Sequence, residues 1–251
     1  ASRRVACELI RIPRRAVSRR SATTSAVCAA QLRGSPMFKS HKTTKIVKSD
    51  LQECYSHRLH KRRSEGSLGA GDLSQLVKLP PGEELLDWLL QHCTDFYHEV
   101  HLLYRLLASD CTEASCPTML AGPKFEYKWA DGTSVKKPLR CSAPKYVEYL
   151  MAWVASSLQD RHLFPARAGK PFGAGALPAI ANIFKRLFRV YAHMFLHHID
   201  ALSRIGAEPH LNTCFRHFAL FVLEHDLIDA QELTPLQTLI DALVSRGACI
   251  P

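Results

Sequence analysis

The sequence predicts an all-α fold, a helical bundle carrying one short β-hairpin. Three observations predict it. Five stretches read as helices from their apolar spacing and capping residues, and a single stretch, 124–138, alternates aromatic and charged residues instead. The 251-residue chain shows no internal repeat and no apolar run near the roughly 20 residues that a membrane-spanning helix needs. Long helices joined by short loops suit antiparallel packing around one core, and a 47% hydrophobic composition supplies that core.

The chain opens on a basic tail. Residues 1–50 hold 12 Lys/Arg against only Glu8 and Asp50, which accounts for the whole net charge of +10. Beyond residue 50, basic and acidic residues are equal at 21 each, so the globular part has no overall basic footprint for nucleic acid. The Arg- and Ser-rich tail has the composition of an organelle transit peptide, and equally of an unstructured arm or an extension upstream of Met37. The arm or extension is the expectation, and residues 1–50 are set apart from the fold. Residues 51–78, polar and containing "SLGAGDL", are expected to form a flexible arm, and 79–246 the globular domain.

The elements follow in order. Residues 80–108 are predicted as a helix, with Pro81 in its first turn and Glu83 and Glu84 at the positive end of its dipole. Leu85, Trp88, Leu89, Phe96, Val100, Leu103 and Leu107 form its apolar stripe. Residues 109–123 are predicted as loop and 124–138 as a hairpin turning at Asp131-Gly132. Residues 142–160 form a helix with Ser142 as N-cap and Pro144 in the first turn. Residues 161–178 are loop; their "GK" lacks the strand, spacing and Ser/Thr of a phosphate-binding loop. One long helix is expected over 178–206, ended by Gly206, another over 212–227 capped near Asn212 or Thr213, and a last over 234–247 with Thr234 as N-cap.

Nine cysteines at irregular spacing, with no secretory segment before them, fit a reduced intracellular chain rather than a disulfide scaffold. Cys111 and Cys116 form a C-x4-C in a loop, and His193, His197 and His198 stand on the longest helix. Two thiolates and two imidazoles complete a closed, structural zinc site; the competing explanation is ordinary loop cysteines and unconnected histidines. On an ideal helix His193 and His197 are about 40° apart, whereas His193 and His198 are about 140° apart, so spacing favours His197. Lys185, Arg186 and Arg189 fall on one side of the same helix, a cluster suited to phosphate or simply a solvated face. No nucleophile with an orienting partner and oxyanion site is marked, so the sequence does not point to an enzyme.

Residues from about 66 to 243 resemble the Mob family of kinase-activator adaptors, most like the type that partners NDR/LATS kinases. The motifs are "LPPGEELLDW", "CTEASCPTMLAGPKFEYKWADG", "KKPLRCSAPKYVEYLMAW", "LFP", "KRLFRVYAHMFLHHID", "HLNTCFRHFALFV" and "LIDAQELTPLQ". The resemblance implies a four-helix-bundle core with a small hairpin, and a structural zinc on Cys111, Cys116, His193 and His198. It implies a non-catalytic activator located in the cytoplasm, with the nucleus as a second compartment, serving Hippo signalling, the cell cycle and mitotic exit. The phosphopeptide-binding residues fall on Lys185, Arg186 and Arg189, which would dock a phosphorylated Hippo/MST-type kinase segment. The kinase-binding face falls on Glu83, Glu84, Asp87, Trp88 and Asp95, which would meet the N-terminal regulatory segment of an NDR/LATS-type AGC kinase. Ser67 stands where the family carries a regulatory phosphothreonine, and Thr43 or Thr44 offers a second phosphosite. The alternative is a Mob-like scaffold of another subtype, which binds kinase without activating it or works in a phosphatase–kinase assembly.

Overall fold

The first turn of helix, α1 (Leu73–Leu76), leads into a tight turn over Pro80-Pro81-Gly82. The computed structural model describes residues 73–165 and 170–247. The tail 1–50, Thr43, Thr44 and Ser67 lie outside the described residues. In the turn, the Glu83 N–H donates to the Pro80 carbonyl at 3.2 Å, and Gly82 takes φ 83°, a left-handed value that favours glycine. Helix α2 (Leu85–Arg105) therefore starts later than predicted, with Pro81 in the turn and Glu84 at the extended N-cap position.

The hairpin is shorter than the alternation implied and lies upstream of it. Strands β1 (Leu120–Ala121) and β2 (Phe125–Glu126) pair antiparallel around Gly122, which has φ 65°. Residues 127–139 form a loop pinched by a bridge between Trp129 and Leu139. Asp131-Gly132 does make a turn, in which Asp131 Oδ1 accepts the amides of Thr133 (2.8 Å) and Val135 (2.7 Å). The alternation in 124–138 is one of burial. Tyr127 and Trp129 point inward and Glu126 and Lys128 outward, but few of these residues have a partner strand.

Helix α3 (Ala143–Leu158) has Ser142 at the N-cap position, although its hydroxyl makes no capping bond. The predicted 178–206 helix is two helices, α4 (Ala176–His197) and α5 (Ile199–Arg204), separated by His198 at φ −133°, ψ 11°. Helix α6 (Glu208–Glu224) begins four residues before the predicted Asn212, with Pro209 in its first turn, where a missing N–H loses nothing. A short α7 (Ala230–Leu233) and a 3-10 turn (Thr234–Leu236) precede α8 (Gln237–Gly247).

Helix α4 lies along α2 and also touches α3, α5 and β1, while α6 packs on α1, α2, α5 and α8. Phe96 of α2, Phe184 of α4, and Phe218 and Phe221 of α6 meet with ring centroids 5.2–5.8 Å apart. All four rings are fully buried. Aromatic pairs at such distances hold the helices in fixed relative positions through large buried area and preferred ring geometry. The described domain is thus a helical bundle with a two-stranded sheet against α4.

Candidate functional site

The C-x4-C loop is closed by its own hydroxyls. The Ser115 hydroxyl donates to the Asp110 carbonyl (2.7 Å) and accepts the Thr112 amide (2.8 Å), while the Ser115 amide donates to Thr112 Oγ1 (3.1 Å). Backbone bonds from Cys111 to Leu107 (2.7 Å) and from Cys116 to Thr112 (2.8 Å) complete the curl. Both sulfur atoms thereby reach the C-terminal end of α4. Cys111 Sγ lies 3.4 Å from His193 Nε2, and Cys116 Sγ lies 3.3 Å from His198 Nε2. The two Nε2 atoms are 3.2 Å apart.

The ligand atoms of Cys111, Cys116, His193 and His198 all lie within 4.8 Å of one another, and all four residues are buried. A tetrahedral ion bound at the usual thiolate and imidazole distances spaces its ligands by roughly 3.3–3.8 Å. The Cys111–His193, Cys116–His198 and His193–His198 pairs approach that spacing. The donor chemistry also fits. Burial pushes the Cys111 thiol up and pulls His193 down to about 4, so the imidazole stays neutral and a thiolate needs a nearby cation. His193 Nδ1–H donates to the Leu120 carbonyl at 2.8 Å, which leaves Nε2 bare and aimed at the centre. The Tyr104 hydroxyl donates to Cys111 Sγ at 3.2 Å, a further outer contact that the spacing did not reveal.

His197, favoured by ideal-helix spacing, is not in this group. Its ring stacks on His193 at 4.9 Å, as the shared face requires, but its Nε2 accepts the Gly122 amide at 3.1 Å. It braces the hairpin turn. The helix break at His198 swings that side chain round to the centre, which no periodic count anticipates.

The basic triad occupies one side of α4, with unequal freedom. Arg186 is sandwiched between Trp129 (4.8 Å to the ring centroid) and Trp153 (4.5 Å), and donates to the Ala130 carbonyl at 2.7 Å. Arg189 Nη2 meets both oxygens of Glu232, at 3.1 and 3.4 Å, and Nη1 meets the Tyr146 hydroxyl at 3.4 Å. Lys185 makes no ion pair among the described residues. Glu232 was not among the predicted site residues, and nothing local in "DAQEL" marks it.

Glu83, Glu84 and Asp87 gather at the start of α2. The Asp87 carboxyl is pushed above its ordinary value by burial, and then by the charges of Glu83 and Glu84. Asp95 stands two turns on, accepting Gln91 Nε2 at 3.3 Å. Trp88 is only 8% exposed, and its indole N–H donates to the Val77 carbonyl at 3.4 Å. It ties the segment after α1 to α2 and presents little surface.

A helical bundle in which two buried cysteines and two buried histidines, able to hold a metal ion, bring a loop and a hairpin to its longest helix defines a small all-α class. Within that class, residues 65–236 match the Mob1/phocein family. The chain is 50% identical over 185 residues to an Arabidopsis thaliana protein named MOB kinase activator-like 1A, covering 74% of this chain and 86% of that one. It is 46% identical over 204 residues to MOB kinase activator-like 1 homolog C of Dictyostelium discoideum, covering 81% and 94%. The chain belongs to the Mob1/phocein family. Among the described residues no helix is long and apolar enough to cross a membrane.

Proposed function

We propose that this chain is a non-catalytic adaptor that binds and activates NDR/LATS-type serine/threonine kinases and docks phosphorylated segments of an upstream Hippo/MST-type kinase. The relatives' names as kinase activators support the coarser part. The observation that carries the finer part is the gathering of Glu83, Glu84 and Asp87 at one helix start, where burial and then the charges of Glu83 and Glu84 push the Asp87 carboxyl up. Acids held this close gain by meeting the Lys/Arg of a basic regulatory segment, which relieves their mutual repulsion and steers association. On α4, Lys185, Arg186 and Arg189 supply the opposite sign for a phosphate.

The ion of the buried centre is zinc, held by Cys111, Cys116, His193 and His198. Two soft thiolates with two imidazoles in closed coordination match a structural zinc site. Bound there, it fixes the C-x4-C loop and β1 to α4 and so steadies the helix that carries the basic triad. The adaptor domain spans 79–246, and Ser67 in the 51–78 arm is a candidate phosphosite for releasing the kinase-binding face. The cytoplasm and nucleus are its compartments.

The test is association with, and activation of, an NDR/LATS-type kinase by the wild type and by a Glu83→Lys, Asp87→Lys double variant. Charge reversal is expected to weaken capture of the kinase regulatory segment by roughly tenfold or more and to flatten its salt dependence. Unaltered capture contradicts the acidic face. Capture without a rise in kinase activity identifies the scaffold subtype instead.

A further inference from the structure

We propose that Glu232 is an internal gate on the phosphate-docking residues, occupying Arg189 until a phosphate displaces it. The inference rests on the docking role proposed above. Both terminal nitrogens of the Arg189 guanidinium are engaged. Nη2 is taken by both carboxylate oxygens of Glu232, and Nη1 by the Tyr146 hydroxyl. Nε is buried without a partner and out of reach of a ligand arriving from solvent. The guanidinium is held from behind by the Tyr127 ring, 4.9 Å from its carbon. Nη1 keeps one N–H for a phosphate, but a two-point grip on Nη1 and Nη2 together requires Glu232 to give way.

The two partners differ in freedom. Tyr146 is fully buried and packed edge-on against Trp129 at 5.4 Å, so its hydroxyl cannot leave. The Glu232 side chain is 30% exposed and sits on the four-residue α7, so it can swing into water without opening the core. A carboxylate and a phosphate dianion cannot share one guanidinium terminus without strong repulsion. Glu232 thus sets a threshold: a doubly charged phosphate with bidentate geometry outcompetes it, and a single carboxylate of an unphosphorylated acidic peptide does not. The gate makes docking selective for phosphate over ordinary acidic sequence.

The experiment measures binding of a phosphothreonine peptide, its unphosphorylated form and its Thr→Glu form to the full chain, wild type and Glu232→Gln. Glu232→Gln keeps the side-chain volume and one acceptor while removing the competing charge. It is expected to bind the phosphopeptide roughly tenfold tighter, and to bind the Thr→Glu peptide that the wild type rejects. Glu232→Asp, which keeps the charge but shortens the reach, is expected to fall between them, and melting curves exclude misfolding as a cause. Phosphate-selective binding by the wild type with unchanged or weaker binding by Glu232→Gln overturns the gate alone. If the wild type does not distinguish the phosphorylated from the unphosphorylated peptide, or Arg189→Ala binds as well as wild type, the docking role falls and the gate with it.

Discussion

The Nε2 atoms of His193 and His198 stand 3.2 Å apart although the two residues are five positions apart in the chain. No uninterrupted α-helix does this, because side chains at that spacing diverge by about 140°. The one non-helical residue between α4 and α5, His198 itself, makes the meeting possible. The break keeps its hydrogen bonds: the His198 amide still donates to Met194 at 3.0 Å, and Leu202 donates to His198 at 3.1 Å.

The two neighbouring histidines are therefore expected to respond differently to substitution. His198→Ala and Cys111→Ser should each lose the bound metal and melt at lower temperature, since metal binding and folding are one equilibrium at such sites. His197→Ala should keep its metal and lose only the bond to the Gly122 amide, at a cost of about 0.5–1.5 kcal/mol. Metal content by elemental analysis with thermal melts checks this. Metal lost from His197→Ala but kept by His198→Ala contradicts the assignment.

Within the basic triad, Lys185 is the clean probe. Lys185→Glu should weaken phosphopeptide binding while leaving the melting temperature nearly unchanged. Arg186→Glu should also destabilise the fold, by about 1–3 kcal/mol, because it removes the cation from between Trp129 and Trp153 and leaves the Ala130 carbonyl without its donor. Titration of a phosphopeptide alongside thermal melts separates the two. Wild-type affinity in Lys185→Glu would remove the phosphate from this face.

Asp131 gives a pH dependence with a defined sign. Its carboxyl is held below the ordinary value, chiefly by the Val135 amide and also by the Thr133 amide. A depressed folded value means that the turn's stabilisation is present above the ordinary carboxylate value near 3.9 and is lost as pH falls through the lower folded value. The amide resonances of Thr133 and Val135 should titrate together in acid and stop doing so in Asp131→Asn. The same titration in that variant would show another group at work.

Much of the architecture was legible because helices announce themselves locally. The apolar stripe of α2 and the Ser142-Pro144 start of α3 were readable from a few residues each. Pro209 marked the start of α6 as clearly as Pro144 marked that of α3, and the signal was present in "AEPHLN". The hairpin was misplaced for a physical reason. Two-residue strands are too short to show a period, so the alternating burial of Tyr127 and Trp129 drew the prediction downstream. At the centre, the residue types and the C-x4-C spacing pointed to metal, but periodicity chose His197 because it assumes a continuous helix.

By itself the sequence determined the helical class, the order and approximate extent of the long helices, and the family, because periodicity, proline and glycine placement and long motifs are written in consecutive residues. Only the tertiary structure decided that His198 rather than His197 joins the cysteines, that His197 braces Gly122, and that Glu232 covers Arg189. Those choices depend on contacts across 82, 75 and 43 residues of chain, and on one helix break at His198. Local sequence carries no record of which distant atoms a side chain will meet.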